Sequence, residues 1–458
     1  MKKTVVINIV GLTKSLIGEH TPFIKSFLEN GKSSLIKPVL PAVTCTAQST
    51  YLTGEWPKKH GIVGNGWYFK EECEVKFWRQ SNKLVEAPKI WEKLKQEDEN
   101  FTCANMFWWY NMYSSVDFSV TPRPNYLADG RKIPDIYSHP SDLRDILQKK
   151  LGTFPLFNFW GPKTSIKSSR WIANASIETD KLHNPTLTLV YLPHLDYNLQ
   201  RYGIDFNRIS KDLNEIDTLV KDLVDYYESK QAHIVLLSEY GITNVNNPIH
   251  LNRELRKNGY LSIRKERGLE LLDAGASKAF AVADHQFCHI YIKDKTNSKA
   301  IKSIIENTNG IEKVYEKGEL DKIHLDHNRS GDLIAIADAN SWFTYYFWND
   351  DKKAPDYARM VDIHKKPGYD PLEMLTDPKD KLVMLKVVWK LLKKKLGFRT
   401  ILNIIPLKAG LIKGSHGRIP ADKYDYPILI SNNLNYQNKK EIKAIDVFSI
   451  LEQHLKQY

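Results

Sequence analysis

Apolar runs with a strand-like pattern alternate along the chain with stretches of helical periodicity. The clearest runs, which are rich in Val, Ile and Leu, occupy residues 5–10, 186–191 and 233–238. Amphipathic stretches that predict helices occupy residues 21–29, 90–96, 170–179 and 207–229. Uninterrupted apolar strands beside helices are typical of a buried parallel sheet, because helices cover both of its faces. The pattern predicts a layered α/β fold with polar residues at the strand ends, where such sheets bind ligands.

Two regions depart from this alternation. Residues 68–162 are rich in aromatic side chains, which predicts a lid over the site or a separate hydrophobic cluster. Residues 280–400 have a mixed pattern with strand-like segments at 288–292 and 333–337, which predicts a smaller α+β subdomain. Large α/β enzymes often elaborate a single sheet, so we expect both regions to be insertions in one catalytic domain that spans residues 1–458.

The composition is that of an ordinary globular protein, with 458 residues of which 42% are hydrophobic and 26% charged. Two lysines precede the first apolar run, but that run ends at Gly11 without a small-residue cleavage site, which favours a strand over a secretory signal. No apolar stretch reaches the roughly 18–20 residues of a membrane-spanning helix. The cysteines lack zinc-motif spacing and are too few for a disulfide framework, which favours a cytoplasmic location; they are Cys45, Cys73, Cys103 and Cys288.

The formal net charge of +12 favours anionic partners, which could be phosphate esters, nucleic acid or an anionic membrane surface. The chain has no helix-turn-helix, zinc-finger or RNP-like motif, so we expect no specific nucleic-acid binding. Residues 381–398 form a basic, largely apolar segment that predicts a helix ending near Gly397. This helix could lie peripherally on an anionic membrane or pack against the main body with its lysine stems covering apolar surface.

A hydroxyl at the start of a predicted helix is the first candidate for chemistry. The segment PAVTCTAQ, residues 41–48, follows a predicted strand at 34–40 and leads into a helical run. Thr44 is therefore predicted near a helix N-terminus, where unpaired backbone N–H groups and the helix dipole favour a phosphate. A threonine at such a position is usually only a cap, and its hydroxyl needs a metal or a base to become a nucleophile.

The residues that follow Thr44 change this interpretation. A Thr-Gly pair at 53–54 is followed by Pro57 and then by HGIVGN at 60–65. In this order the residues resemble the type I phosphodiesterase/nucleotide pyrophosphatase family of the alkaline phosphatase superfamily. The resemblance implies a three-layer αβα fold with a mostly parallel sheet, Thr44 as the nucleophile, and a side-chain amide at Asn65 that binds a phosphoryl oxygen.

The same resemblance implies two sites for zinc-like ions, with several ligands changed. One site would comprise Asp196, Gln200 where the family has a histidine, and His416 in a Gly-Ser-His-Gly turn. The other site would comprise Glu239 and Tyr240 in place of an Asp-His pair.

One expected acid of the second site is missing altogether. Val10 stands at its position and cannot bind a metal, unless Asn8 or another group compensates. The amide oxygen of Gln200 also favours hard cations over zinc. We therefore expect zinc or another divalent cation at one site, and leave open whether a second ion binds. Other polar residues could replace lost ligands, contact substrate or serve only in structural hydrogen bonds; they are His194, Asp284, His285, Asp362 and His364.

These residues predict a metal-dependent hydrolase of phosphodiester, pyrophosphate or phosphomonoester bonds, acting on a phosphorylated small molecule or a nucleotide-like substrate. Thr44 would attack phosphorus, and water would then release the product from a phosphothreonine intermediate. Glu239 would assist a second cation or act as a base. The alternative is an altered family member that binds a phosphometabolite or transfers a phosphoryl group without hydrolysis.

Overall fold

A nine-stranded sheet organises the chain in a computed structural model that describes residues 1–128, 130–378, 382–396, 398 and 402–456. From one edge to the other, its strands are Glu441–Lys443, Lys32–Lys37, Ile428–Ser431, His233–Leu237, Thr4–Ile9, Leu187–Leu192, Cys103–Met106, Phe118–Pro122 and Ile136–His139. Two strands, Ile428–Ser431 and Ile136–His139, run antiparallel to their neighbours, and the other pairs are parallel. The sheet is therefore mostly parallel, as the sequence predicts.

Helices cover the central strands of this sheet on both faces. Every residue of Thr4–Ile9 and Leu187–Leu192 is buried, although successive side chains in a strand point to opposite faces. The α-helices are Pro22–Asn30, Thr44–Thr53, Pro57–His60, Ile90–Glu97, Leu143–Leu151, Leu156–Phe159, Ile166–His183, His194–Tyr202, Phe206–Glu228, Leu251–Lys257, Ser298–Glu306, Val383–Lys395 and Asp446–Lys456. This layered α/β arrangement confirms the predicted fold class.

A smaller antiparallel sheet lies in sequence between the main-sheet strands His233–Leu237 and Ile428–Ser431. Its strands, in spatial order, are Ala279–Asp284, Phe287–Ile292, Leu333–Ala337 and Ile311–Glu316. Short two-stranded pairings complete the strand inventory; they join Gly66–Phe69 to Glu74–Phe77, Asn125–Tyr126 to Lys132–Ile133, Thr243–Asn244 to Gly414–Ser415, Asn247–Ile249 to Ser341–Phe343, and Ile263–Glu266 to Leu269–Leu272. The small sheet has its own hydrophobic cluster, which contains Val282, Ile290 and Ala335.

Several predicted boundaries move by a few residues. The strand predicted at 34–40 ends at Lys37, because Pro38 has no N–H to continue the ladder. The helix predicted at 170–179 extends over Ile166–His183 and ends at Asn184 in a left-handed conformation. Strands Cys103–Met106, Phe118–Pro122 and Ile136–His139 of the central sheet come from the aromatic region 68–162. That region therefore contributes to the main sheet as well as to the surroundings of the site.

The basic segment 381–398 contains the helix Val383–Lys395. Gly397, where the sequence predicts its end, lies outside the residues that the structure describes. Within the described parts of the chain, no helix combines the length and the apolarity needed to span a bilayer.

The central sheet depends on tightly packed aliphatic side chains, which yields a first testable prediction. Leu189 is 0% exposed and lies beside Val6 in the parallel ladder. We expect Leu189→Ala to lower the free energy of unfolding by about 2–5 kcal/mol, because it leaves a cavity. Leu182→Ala is the matched control, since Leu182 is 43% exposed, and should stay within about 0.5 kcal/mol. Urea titration measures both, and equal losses would contradict this view of the core.

Candidate active site

Two segments bring polar side chains to one edge of the central sheet. The helix His194–Tyr202 follows the strand Leu187–Leu192 and carries Asp196 and Gln200. Glu239 and Tyr240 lie just after the parallel strand His233–Leu237. Because the carboxyl ends of parallel strands meet at the same edge, these side chains converge there.

The hydroxyl of Thr44 lies at the head of a chain of hydrogen bonds. Thr44 is the first residue of the helix Thr44–Thr53, and its side chain is buried but lines a cavity. Its Oγ1 lies 3.3 Å from the hydroxyl of Tyr240, which donates to Oδ1 of Asp196 at 3.2 Å. Since the single proton of Tyr240 goes to Asp196, the tyrosine oxygen accepts from Thr44. The geometry therefore links Thr44 to a carboxyl group through one tyrosine.

Asp196 and His416 form the part of the site that suits a divalent cation. Nδ1 of His416 bonds the carbonyl oxygen of Ala42 at 2.7 Å, which leaves the lone pair on Nε2, 4.0 Å from Oδ1 of Asp196. The Nε2 of Gln200 donates to Oδ2 of Asp196 at 2.8 Å, and its amide oxygen accepts from Tyr369 at 3.1 Å. A carboxylate and a neutral imidazole are donors that fit a divalent cation, whereas Gln200 turns its NH2 group, and not its amide oxygen, toward Asp196.

Burial sets the protonation of this pair. Burial raises the pKa of Asp196 to about 7, although hydrogen bonds from Gln200 and Tyr240 oppose the rise. Burial also lowers the pKa of His416 to about 3, so its imidazole is neutral at physiological pH. A neutral imidazole is the form that binds a metal.

Stacked rings hold the histidine in place. The ring of Tyr240 lies parallel to that of His416, with centroids 3.6 Å apart. The ring centroid of His285 lies 3.7 Å from that of His416 and 3.7 Å from that of Tyr369. The sequence singles out His285 but not Tyr369, which lies in a loop without a motif, so no sequence signal would have found it.

The other predicted metal position has a different environment. Oε1 of Glu239 accepts from the side-chain amides of Asn8 and Gln48, each at 2.5 Å. Val10 is fully buried in the hydrophobic core, so it supplies no ligand. Among the described residues, Oε2 of Glu239 and Oδ1 of Asn8 have no hydrogen-bond partner. Sequence reasoning raised Asn8 only as a replacement ligand and missed Gln48.

Glu239 holds its proton more tightly than an ordinary glutamate. Burial raises its pKa to about 8, against hydrogen bonds from Gln48 and Asn8. The side chain is therefore mostly neutral at physiological pH. With a valine in place of one acid and two amide N–H groups directed at the remaining carboxyl group, this position offers too few anionic ligands for a second divalent cation.

Asn65 lies one hydrogen bond behind the helix that begins with Thr44. Its Oδ1 accepts from the backbone N–H of Cys45 at 3.0 Å, and its Nδ2 donates to Oδ1 of Asp284 at 3.1 Å. The backbone N–H of Asn65 also donates to Oδ2 of Asp284, at 2.7 Å. Burial raises the pKa of Asp284 to about 7. The arrangement braces the turn next to Thr44, and phosphoryl binding by Asn65 stays a prediction.

The remaining candidates lie in other surroundings. Nε2 of His194 lies 3.3 Å from a carboxylate oxygen of Asp212 and 3.3 Å from one of Glu215, both on the next helix, Phe206–Glu228. Asp362 forms an ion pair with Lys365 at 3.3 Å. His364 lines the cavity and faces the carbonyl of Phe77 at 3.5 Å.

A cavity of about 530 Å³ opens onto Thr44. Its base is polar and is formed by Thr44, Asp196, Gln200, Tyr240, His285 and His416. Its walls are mainly aromatic and aliphatic, and Trp78 and Trp109 from the aromatic region are among them. Sites of this size hold small organic ligands.

The mostly parallel sheet covered by helices matches the fold of the alkaline phosphatase type. Residues 4–370 match the family described as type I phosphodiesterase/nucleotide pyrophosphatase, and the chain belongs to that family.

Two fungal relatives illustrate the similarity. An uncharacterized pyrophosphatase/phosphodiesterase of Schizosaccharomyces pombe is 23% identical over 232 residues, which are 48% of this chain and 41% of the relative. Ectonucleotide pyrophosphatase/phosphodiesterase 1 of Saccharomyces cerevisiae is 24% identical over 268 residues, 53% of this chain and 34% of the relative. The chain thus covers less than half the length of these curated relatives.

Solved structures share the fold at low sequence identity. Murine ectonucleotide pyrophosphatase/phosphodiesterase 5 in complex with AMP matches with a TM-score of 0.60 and 14% identity, over 100% of this chain and 96% of that one. Phosphonoacetate hydrolase of Sinorhizobium meliloti in complex with phosphonoformate matches with a TM-score of 0.61 and 13% identity, over 99% and 96%. Both similarities support the alkaline phosphatase-type fold.

The protonation of Glu239 predicts a pH dependence of stability. Its folded pKa of about 8 lies above the ordinary value of 4.5, so stability present below pH 4.5 is lost as the pH rises to about 8. Glu239→Gln removes this titration and keeps an accepting oxygen for Asn8 and Gln48. We expect the metal-free variant to become more stable than the wild type across this pH range, by on the order of 3 kcal/mol at its end.

Chemical unfolding in the presence of a chelator, at a series of pH values, measures this difference. Glu71→Gln is the control, because Glu71 is exposed and its loss should leave the pH profile unchanged. Parallel profiles for the wild type and Glu239→Gln would contradict the assignment.

Proposed function

We propose that this chain is a metal-dependent hydrolase of phosphodiester, pyrophosphate or phosphomonoester bonds that uses Thr44 as its nucleophile. The observation that carries the proposal is the chain of hydrogen bonds from Thr44 through Tyr240 to Asp196, at 3.3 Å and 3.2 Å. Family membership supports a pyrophosphatase/phosphodiesterase type of activity.

The hydrogen-bonded chain gives the hydroxyl proton a route. As Oγ1 of Thr44 attacks phosphorus, its proton passes to the oxygen of Tyr240 while the tyrosine proton passes to Asp196. The leaving group departs with the bonding electron pair, and Thr44 carries the phosphoryl group. Water then attacks the same phosphorus and releases one proton to solvent, and the Thr44 oxygen leaves and regains its proton from Asp196 through Tyr240.

One cation fits the donors that the site offers. Asp196 and His416 would hold it, and the amide oxygen of Gln200 would join them after rotation of its side-chain amide. Oδ2 of Asp196, which takes no proton from Tyr240, would be its ligand atom, and the cation would withdraw electron density from the phosphoryl oxygens. Glu239 would remain protonated beside Thr44, because burial raises its pKa more than the hydrogen bonds from Asn8 and Gln48 lower it. We therefore propose a single-cation enzyme.

The partners follow from the same features. We propose a phosphorylated small-molecule or nucleotide-like substrate and a cytoplasmic location, which four free cysteines support. The helix Val383–Lys395 is proposed as a peripheral membrane contact, because it is basic and exposes large apolar side chains. We retain residues 1–458 as one catalytic domain.

A second candidate function is binding of a phosphorylated metabolite without hydrolysis. The observation that favours it is the buried valine at position 10, which leaves Glu239 as the sole acid of the second metal position. Thr44 would then be a phosphate contact at the helix N-terminus.

Substitution of the nucleophile separates these two functions. We expect Thr44→Ala to lower kcat for bis(p-nitrophenyl) phosphate by about 10³-fold or more, because no other hydroxyl takes its place. Thr44→Ser keeps a hydroxyl and should retain turnover within about tenfold. Tyr240→Phe, which breaks the proton route, should lose about 10²-fold or more. Release of p-nitrophenolate measures all three, and wild-type turnover in Thr44→Ala would reject the proposal.

The donor set also predicts which metal supports activity. Gln200 offers an oxygen, so we expect metal-stripped wild type to work better with Mn²⁺ than with Zn²⁺. Gln200→His should raise the ratio of Zn²⁺-supported to Mn²⁺-supported kcat/KM by about tenfold. Tyr369→Phe is the control, because it removes only the hydrogen bond to Gln200. An unchanged ratio in Gln200→His would exclude Gln200 as a ligand.

A further inference from the structure

The cavity above Thr44 suits a hydrocarbon better than a polar group. Away from the polar base, its walls include Trp78, Trp109, Phe159, Trp160, Val361 and Ile404. A sugar or a base would leave unpaired those hydroxyl and amino groups that face the apolar walls and are out of reach of Gln80 and His364, which costs binding free energy. A hydrocarbon chain would instead bury its surface there.

Cationic side chains also line the cavity. Arg123, Lys132 and Lys163 line the cavity, and Arg123 and Lys163 are exposed. The cavity thus combines an apolar interior with positive charge that attracts an anionic substrate.

The helix Val383–Lys395 contacts this cavity on one face and is exposed on the other. Val387 is buried and lines the cavity. Four large apolar residues of the helix, and Leu396 directly after it, are 45% to 67% exposed; they are Leu385, Val388, Trp389, Leu392 and Leu396. Their spacing places them on one helical face, and Val387 lies on the opposite face. One side of the helix therefore faces the cavity while the other presents an apolar stripe to the surroundings.

The positive charge of this segment favours an anionic lipid surface as the partner of the exposed apolar stripe. Between residues 382 and 398 the sequence has lysines and no acidic residue. Lys393 lies over the ring of Trp389 at 5.2 Å from its centroid. An apolar stripe flanked by lysines is the pattern of helices that lie in the interface of an anionic bilayer.

We infer that the substrate is a phosphoester with a long hydrocarbon chain, taken from an anionic membrane on which the helix Val383–Lys395 lies. The hydrocarbon chain of the substrate occupies the aromatic cavity, and its phosphoryl group reaches Thr44 at the base of the cavity. The inference deepens the proposed function and rests on it for the reaction, but the binding step is independent of hydrolysis.

Binding of non-hydrolysable phosphonates tests the cavity. We expect dodecylphosphonate, below its micelle concentration, to bind at least about 100-fold more tightly than ethylphosphonate, because its methylenes are buried. Calorimetry measures both affinities, in the wild type and in Thr44→Ala. Val361→Asp puts a charge in the wall and should lower the ratio of the two affinities about tenfold or more. Equal affinities for the two phosphonates would overturn the inference.

Co-sedimentation with vesicles tests the helix. We expect the wild type to bind vesicles of phosphatidylglycerol and phosphatidylcholine and not vesicles of phosphatidylcholine alone. The double substitution Trp389→Ser and Leu392→Ser should reduce the bound fraction about tenfold. Leu434→Ser is the matched control, because Leu434 is 64% exposed but lies outside this helix. This variant should bind vesicles like the wild type.

The remaining outcomes separate the inference from its rivals. Unchanged co-sedimentation of the double variant would overturn the membrane assignment. A dimer in the wild type that becomes a monomer in this variant, by analytical ultracentrifugation, would overturn it too, since the stripe would then join two copies. Tight dodecylphosphonate binding without turnover of any ester would uphold the inference and reject only the proposed hydrolysis.

Discussion

The candidate site depends on one buried carboxyl group. Asp196 lies where the parallel strands end, and removal of its charge from water is costly unless donors or a cation compensate. Gln200 and Tyr240 donate to its two oxygens, and the nitrogen of His416 faces it at 4.0 Å. The same tyrosine meets Thr44, so the requirement to satisfy one carboxyl group also orients the proposed nucleophile.

The changes at the second metal position are mutually consistent. Val10 packs in the core where the family pattern has an acid, and Glu239 satisfies one oxygen with the amides of Asn8 and Gln48. With one acid instead of two, a proton suffices to neutralise the position, in agreement with the raised pKa of Glu239. The family's histidine at the position of Tyr240 would bind a metal. The hydroxyl of Tyr240 instead contacts Thr44 and donates to Asp196. These substitutions fit a site with a single cation.

The sequence predicts the fold class and the central strands because Thr4–Ile9 and Leu187–Leu192 are continuous apolar runs. It misses Cys103–Met106 and Phe118–Pro122, because those strands are short and mix polar with apolar residues. Family resemblance identifies Thr44, Asp196 and Tyr240, which the fold then brings together. Gln48 and Tyr369 belong to no motif, and only packing places them beside Glu239 and Gln200. The roles of all these residues in a reaction remain predictions.

The central claim is that the hydroxyl of Thr44 takes a phosphoryl group from the substrate. Rapid acid quench during turnover of bis(p-nitrophenyl) phosphate, followed by mass spectrometry of the peptides, tests it most directly. The account predicts a substrate-derived phosphoryl adduct on Thr44 that forms and decays at rates compatible with turnover. Turnover with no adduct on Thr44, or with an adduct on another residue, would contradict it.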